Sequence, residues 1–234
     1  MNALENKVIL VVGAAHGIGK AAAECCVNQG GTVIWADLDD AACIAAAQKS
    51  DSLALKVNVA DEDSVIQMYS TIEQKYGGLD VLIHTAGILK GAMVPIEEFD
   101  LKTWQSVIDV NVTGSFLCSK YSVPLMKRSG KGVIILVSSG AAVGGSSSYA
   151  YGTSKGGVSS MAITMANKLG KEGFRVNVVS PGNIDTPLKR KMLAEYAERI
   201  GESYDKVLAE SNLGDPMKVG SILAWLASDD ADYV

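Results

Sequence analysis

The sequence predicts an α/β protein: a single-domain, doubly wound parallel sheet with helices on both faces. Three observations predict it. Short apolar runs rich in β-branched residues recur along the chain, helix-prone stretches separate them, and the alternation stays regular from Val8 to Ser180. Such βα alternation implies parallel strands joined by right-handed crossovers.

Val8–Val12 is a continuous apolar run followed by a glycine turn, the pattern of a strand buried on both faces. Ile18–Gln29 is rich in alanine and reads as a helix ended by Gly30 and Gly31. Thr32–Ala36 is the next strand, Asp39–Lys49 the next helix and Leu53–Val59 a third strand. Asp61, Glu62 and Asp63 place acids in the first turn of a helix, where its dipole favours them. Val65, Met68, Tyr69, Ile72 and Tyr76 continue that helix at helical spacing. Gly77-Gly78 breaks it, and Asp80–His84 forms a fourth strand. Beyond a loop through Pro95, one long helix is expected at about Thr103–Arg128. Val133–Ser138 is a fifth strand, Tyr149–Lys171 a helix and Arg175–Ser180 a sixth strand. No linker or repeat divides the chain, so one domain over 1–234 is expected.

Composition narrows the function. The 234 residues are 48% hydrophobic and 20% charged, with a net charge of −5. An acidic balance argues against a nucleic-acid partner, which calls for a basic face. No apolar run approaches the roughly 20 residues that span a bilayer. No apolar leader opens the chain, so a cytoplasmic protein with no membrane partner is expected. Cys25, Cys26, Cys43 and Cys118 form no C-x-x-C pair and read as buried reduced thiols, and no residue reads as a metal ligand.

After the first strand comes Gly13-Ala14-Ala15-His16-Gly17-Ile18-Gly19, opening directly into a helix. A dinucleotide pyrophosphate needs a tight turn, a close backbone approach and free N–H groups at a helix start. Such glycines also serve plain helix–strand packing. Asp37 raises the weight of the binding reading, because it ends the second strand 20 residues past Gly17. An acid there can bond both ribose hydroxyls of NAD and would repel the 2′-phosphate of NADP. Asp39 is better placed than Asp37 to cap the following helix.

A second constellation lies further on. Tyr151 and Lys155 are four apart on a predicted helix and share one face. Ser138, 13 residues before Tyr151, lies at the carboxyl end of the fifth strand, where parallel sheets bind ligands. Singly these residues read as a strand-end cap, packing and a solvated charge; together with the glycine cluster they read as a reaction site.

These motifs resemble the short-chain dehydrogenase/reductase family over nearly the whole chain, which implies a Rossmann-like fold. Val12-Gly13-Ala14-Ala15-His16-Gly17-Ile18-Gly19 is similar to its T-G-x-x-x-G-x-G, Asn111 in Asn-Val-Thr-Gly to its helix asparagine, and Tyr151-Gly-Thr-Ser-Lys155 to its catalytic stretch. Pro181-Gly182-Asn183-Ile184-Asp185-Thr186-Pro187 resembles its P-G-x-x-x-T-P segment. The resemblance implies a catalytic set of Ser138, Tyr151, Lys155 and Asn111. It implies cofactor contacts at Gly13, His16, Gly17, Ile18, Gly19, Asp37, Asn58, Val59, Ala86, Gly87, Tyr151, Lys155, Pro181, Gly182, Ile184 and Thr186. The implied reaction passes hydride between NAD and a small secondary alcohol or carbonyl substrate, with Tyr151 as acid/base. Lys155 and the nicotinamide charge would favour phenolate: a unit charge at about 4 Å is worth roughly 4 kcal/mol at an effective dielectric of 20. Ser138 would hold the substrate oxygen, and Asn111 would anchor water beside Lys155.

The departures are His84-Thr85-Ala86-Gly87 in place of N-N-A-G, Asn58 in place of an aspartate, and a chain that stops at Val234 where the family continues into a seventh strand. The family resemblance implies a homodimer or homotetramer. Two other functions compete: an NADP-dependent ketoacyl or carbonyl reductase of the same family, and a non-catalytic NAD-binding sensor. A methyltransferase needs no Y-x-x-x-K. A mostly helical substrate lid is expected at about 186–215, in which Leu188, Met192 and Leu193 could face the substrate and Lys189-Arg190-Lys191 reads as a solvated face.

Overall fold

A computed structural model describes residues 2–234. Its sheet has six parallel strands: β1 (Val8–Val12), β2 (Thr32–Asp37), β3 (Leu53–Lys56), β4 (Val81–His84), β5 (Gly132–Val137) and β6 (Phe174–Val179). They lie in the order β3-β2-β1-β4-β5-β6. The order reverses between β1 and β4, and a crevice for ligands opens at the carboxyl ends of strands on either side of such a switch.

Among the described residues ten α-helices surround the sheet: α1 (Gly17–Asn28), α2 (Asp40–Ala47), α3 (Glu62–Tyr76), α4 (Leu101–Ile108), α5 (Gly114–Met126), α6 (Ala141–Gly144), α7 (Tyr149–Leu169), α8 (Pro187–Ile200), α9 (Tyr204–Glu210) and α10 (Pro216–Ala227). Side-chain alternation along the strands divides the core in two. Ile9 and Val11 of β1, Val81 and Ile83 of β4 and Ile135 of β5 pack with Ala22 of α1 and Leu223 of α10. Leu10 and Val12, Leu82, Ile134 and Leu136 pack on the other face with Ile72 of α3, Leu117 of α5 and Val158 of α7. α1 and α10 meet at backbone distance, since a Cβ on Gly220 would stand 2.6 Å from the carbonyl carbon of Ala21. Leu193, Ala197 and Val207 give α8 and α9 a small core of their own. No described helix is long and apolar enough to cross a membrane.

Two expected elements differ. The long helix expected at Thr103–Arg128 runs without a break in helical backbone from Leu101 to Met126, but a π-turn at Asp109–Thr113 interrupts its α-helical bonding between α4 and α5. Tertiary hydrogen bonds from Asn111 in that turn stabilise the extra residue, and hydrophobic periodicity carries no trace of them. The third strand ends at Lys56, not Val59: Val57 gives its N–H to the carbonyl of Asp37 at 2.8 Å and turns inward, 1% exposed.

Candidate active site

A cavity of about 1080 Å³ opens at the carboxyl ends of the strands. Val12, the last residue of β1, leads into Gly13 at φ +85°, where a Cβ would stand 2.6 Å from the amide nitrogen of Ala86. A Cβ on Gly19 would stand 2.0 Å from the carbonyl oxygen of Gly13. Only glycine lets the loop, β4 and α1 meet this closely. No side chain caps α1, so its first amides point into the cavity without an internal partner. Bare amides at a helix start, on a cradle that any side chain would fill, fit a pyrophosphate.

Asp37 lies at the end of β2, in the cavity wall. Its carboxylate accepts the Ala15 N–H at 2.9 Å and the Asp39 N–H at 3.0 Å, so it also braces the glycine loop. His16 lies across the same opening, 3.0 Å from the Asp39 carboxylate. Asn58 and Val59 line the wall beyond β3, and Ala86 and Gly87 the wall beyond β4. Pro181, Gly182, Ile184 and Thr186 follow β6. Thr186 caps α8 and fits against Gly17, whose Cβ would stand 2.9 Å from the threonine methyl. Every residue predicted to touch a dinucleotide lines this one cavity.

Tyr151 and Lys155 enter it from the first turns of α7. The Lys155 ammonium lies 5.7 Å from the Tyr151 ring centroid and donates to the Val137 carbonyl at 2.8 Å. Burial draws the Lys155 pKa down to about 8. Burial also raises that of Tyr151, opposed only by the Ser139 side chain. Without cofactor, desolvation of the phenolate is the largest influence on this phenol.

Ser138 and Ser139 both line the cavity, and their hydroxyls are engaged differently. The Ser138 hydroxyl donates to the Lys155 carbonyl at 2.8 Å and accepts from Ser159 at 2.8 Å. It is committed beneath α7, and the serine beside the Tyr151 phenol is Ser139. Both follow the end of β5, and they differ in what their hydroxyls meet. The doublet Ser138-Ser139 was the available signal.

Asn111 is fully buried and lies outside the cavity lining. Its side chain accepts the Ile88 N–H at 2.8 Å and donates to the Ile88 carbonyl and to Ser154, both at 2.9 Å. The Asn111 side chain is thus committed to tying the β4 loop to α7. A Cβ on Gly87 would stand 3.3 Å from both the Asn111 amide oxygen and the Lys155 nitrogen, so the missing side chain keeps a gap open between them.

Residues 13–234 match the family model described as enoyl-(acyl carrier protein) reductase. The chain belongs to the short-chain dehydrogenase/reductase family. It is 36% identical to a 3-oxoacyl-(acyl-carrier-protein) reductase of Thermotoga maritima, over 99% of this chain and 94% of that protein. It is 34% identical to cis-4-hydroxycyclohexanecarboxylate dehydrogenase of Sinomonas cyclohexanicum, over 99% and 93%. The solved aldohexose dehydrogenase of Thermoplasma acidophilum superposes with a TM-score of 0.86 at 31% identity, covering 100% of this chain and 91% of that one.

His84 and Thr85 set this short-chain dehydrogenase/reductase apart from its family's N-N-A-G pattern, and the first of them is titratable. His84 is buried; its Nδ1 lies 3.3 Å from the Ser115 hydroxyl, and its Nε2 has no partner among the described residues. Burial first, and the Lys155 charge second, drive its pKa down to about 3. An unfolded histidine titrates near 6.5, so between those values the unfolded chain binds more protons than the native one. Stability present above about pH 6.5 is therefore lost as pH falls toward 3. At pH 5 this costs about 2 kcal/mol. Urea unfolding at pH 7 and pH 5 should show a loss of that order, and His84→Asn should lose less. Equal losses in both proteins would assign the effect to other groups.

Proposed function

We propose that this member of the family is an NAD-dependent oxidoreductase that passes hydride between NAD and a small secondary alcohol or its ketone. The observation that carries the reading is the meeting of Tyr151, Lys155 and Ser139 in the same cavity as the bare start of α1. When bound, the nicotinamide supplies the hydride chemistry, while the protein supplies placement and charge. Gly13, Gly17 and Gly19 admit the pyrophosphate, and Asp37 holds the adenosine ribose. Tyr151 takes the alcohol proton in oxidation and returns it in reduction. Ser139, rather than Ser138, holds the substrate oxygen. Lys155, largely protonated near neutrality at a pKa of about 8, favours the phenolate form. Asn111 positions α7 against the loop after β4, which keeps Lys155 beside the gap at Gly87.

Preference for NAD rests on Asp37. Asp39 is the next acid on this rim, and the nearby His16 is already paired with it. A 2′-phosphate would meet two carboxylates there. The protein should prefer NAD to NADP at least tenfold in kcat/KM, about 1.4 kcal/mol, and Asp37→Ser should shrink that ratio. NADH and NADPH formation over a panel of secondary alcohols measures both. Equal use of the two cofactors by the unmodified protein rejects the cofactor assignment, and no turnover of any alcohol or ketone rejects the function. Similarity to the Thermotoga reductase keeps reduction of a 3-oxoacyl thioester as a second reading.

A further inference from the structure

The face of α8 turned to the cavity is apolar with one exception. Leu188, Met192, Leu193 and Tyr196 line the cavity, and Lys189 lines it with them. Lys189 stands in the first turn of α8, where its N–H is taken by the capping hydroxyl of Thr186 at 3.2 Å. A cation in a first turn is opposed by the helix dipole. Its side chain is also partly desolvated, which lowers its pKa, and no carboxylate among the described residues lies within 4 Å of it. The two neighbouring cations differ. The Arg190 guanidinium is held by Asp185 through hydrogen bonds of 2.5 and 2.8 Å, and Lys191 is exposed. Of the basic triplet, Lys189 alone faces the cavity.

An unpaired ammonium at the positive end of a helix, on an apolar wall, bears two costs with no internal offset. A bound anion supplies the offset. We infer that Lys189 binds a carboxylate on the substrate, so that the physiological alcohol is a hydroxy acid whose apolar body rests on Leu188, Met192 and Tyr196. This rests on the alcohol-oxidising reading of the same cavity. The pyrophosphate is a less suitable anion for Lys189. Its place is at the start of α1, where Thr186 fits against Gly17. From Lys189, beside that cap, Leu193 and Tyr196 carry the apolar face about 10 Å further along α8 at 1.5 Å per residue, and the NADH titration below separates the two anions. A single available ammonium also matches a singly charged carboxylate better than a doubly charged phosphate.

The test compares hydroxy acids bearing the hydroxyl at the third, fourth or fifth carbon with their primary amides, which differ only in charge at one end. For at least one pair the unmodified protein should favour the acid at least tenfold in kcat/KM. Lys189→Met should reduce that acid-to-amide ratio at least tenfold, mainly through KM, and Lys189→Arg should recover part of it. NADH affinity, followed by fluorescence titration, should move less than threefold in Lys189→Met. Three results would overturn the inference: turnover of acids and amides with no preference, a preference that survives Lys189→Met, or a tenfold loss of NADH affinity in that variant. The first leaves the oxidoreductase reading intact. Failure to turn over either series, or any secondary alcohol, removes both readings.

Discussion

Replacing Tyr151 with phenylalanine should lower kcat at least a hundredfold while leaving NAD affinity nearly unchanged. The variant keeps the ring that lines the cavity and loses only the hydroxyl. General acid–base catalysis contributes roughly 10²- to 10⁴-fold, so the loss falls on the chemical step. Tyr149, two residues away, is the control. It is 46% exposed, packs edge-on against Phe99 with centroids 5.7 Å apart, and lies outside the cavity lining. Tyr149→Phe retains that ring contact and should keep most of kcat. The pH profile adds a second reading of the same group. With NAD bound, alcohol oxidation should speed up as pH rises, because the ionised phenol accepts the proton. Lys155→Met removes a positive charge 5.7 Å from the ring centroid and should move the inflection upward. A dead Tyr149→Phe beside an active Tyr151→Phe would overturn the assignment.

Ser139→Ala should cost about a hundredfold in kcat/KM, whereas Ser138→Ala should keep most of its activity. Removing one donor aimed at a charge that develops in the transition state costs roughly 10²- to 10³-fold. Ser139 is the serine beside the phenol. Ser138 is buried under α7 with its hydroxyl on the Lys155 carbonyl. That carbonyl also accepts from Ser159 at 3.0 Å, so it keeps a partner when Ser138 is truncated. The penalty for Ser138→Ala should appear as stability, about 1 kcal/mol for one buried hydrogen bond. Steady-state kinetics and urea unfolding of both variants separate the two effects. Loss of activity in a well-folded Ser138→Ala protein, with Ser139→Ala active, would restore the assignment made from spacing.

Much of the fold and of the cofactor site was legible because its signals are local. A buried parallel strand is an apolar run, and a helix start or stop carries an acid, a cap or a glycine. β1, β2, β4, β5 and β6 accordingly lie within a residue or so of their expected bounds. Tyr151 and Lys155 share a face because four residues nearly complete a helical turn, whatever surrounds the helix. Asp37 could be placed at the cavity because it ends a strand next to a glycine turn.

Other features depended on what one element meets in another. The π-turn in the long helix goes with bonds that Asn111 makes to Ile88 and Ser154, 23 and 43 residues distant. The behaviour of the phenol and of His84 follows from burial, a property of the assembled layers. So does the separation of Lys189 from Arg190: adjacent in sequence, one faces a cavity and the other an aspartate.

The sequence by itself determined the parallel α/β architecture, the glycine cradle with an acid at the end of the next strand, and the tyrosine–lysine pair. Each depends on backbone periodicity over a few residues. Tertiary structure alone decided which serine stands beside the phenol, where Asn111 spends its hydrogen bonds, and which lysine is left unpaired in the cavity. Those outcomes turn on the direction of single side chains across packed elements. Spacing along the chain does not encode that direction, because a shift of one residue reverses a strand face and turns a helix by about 100°.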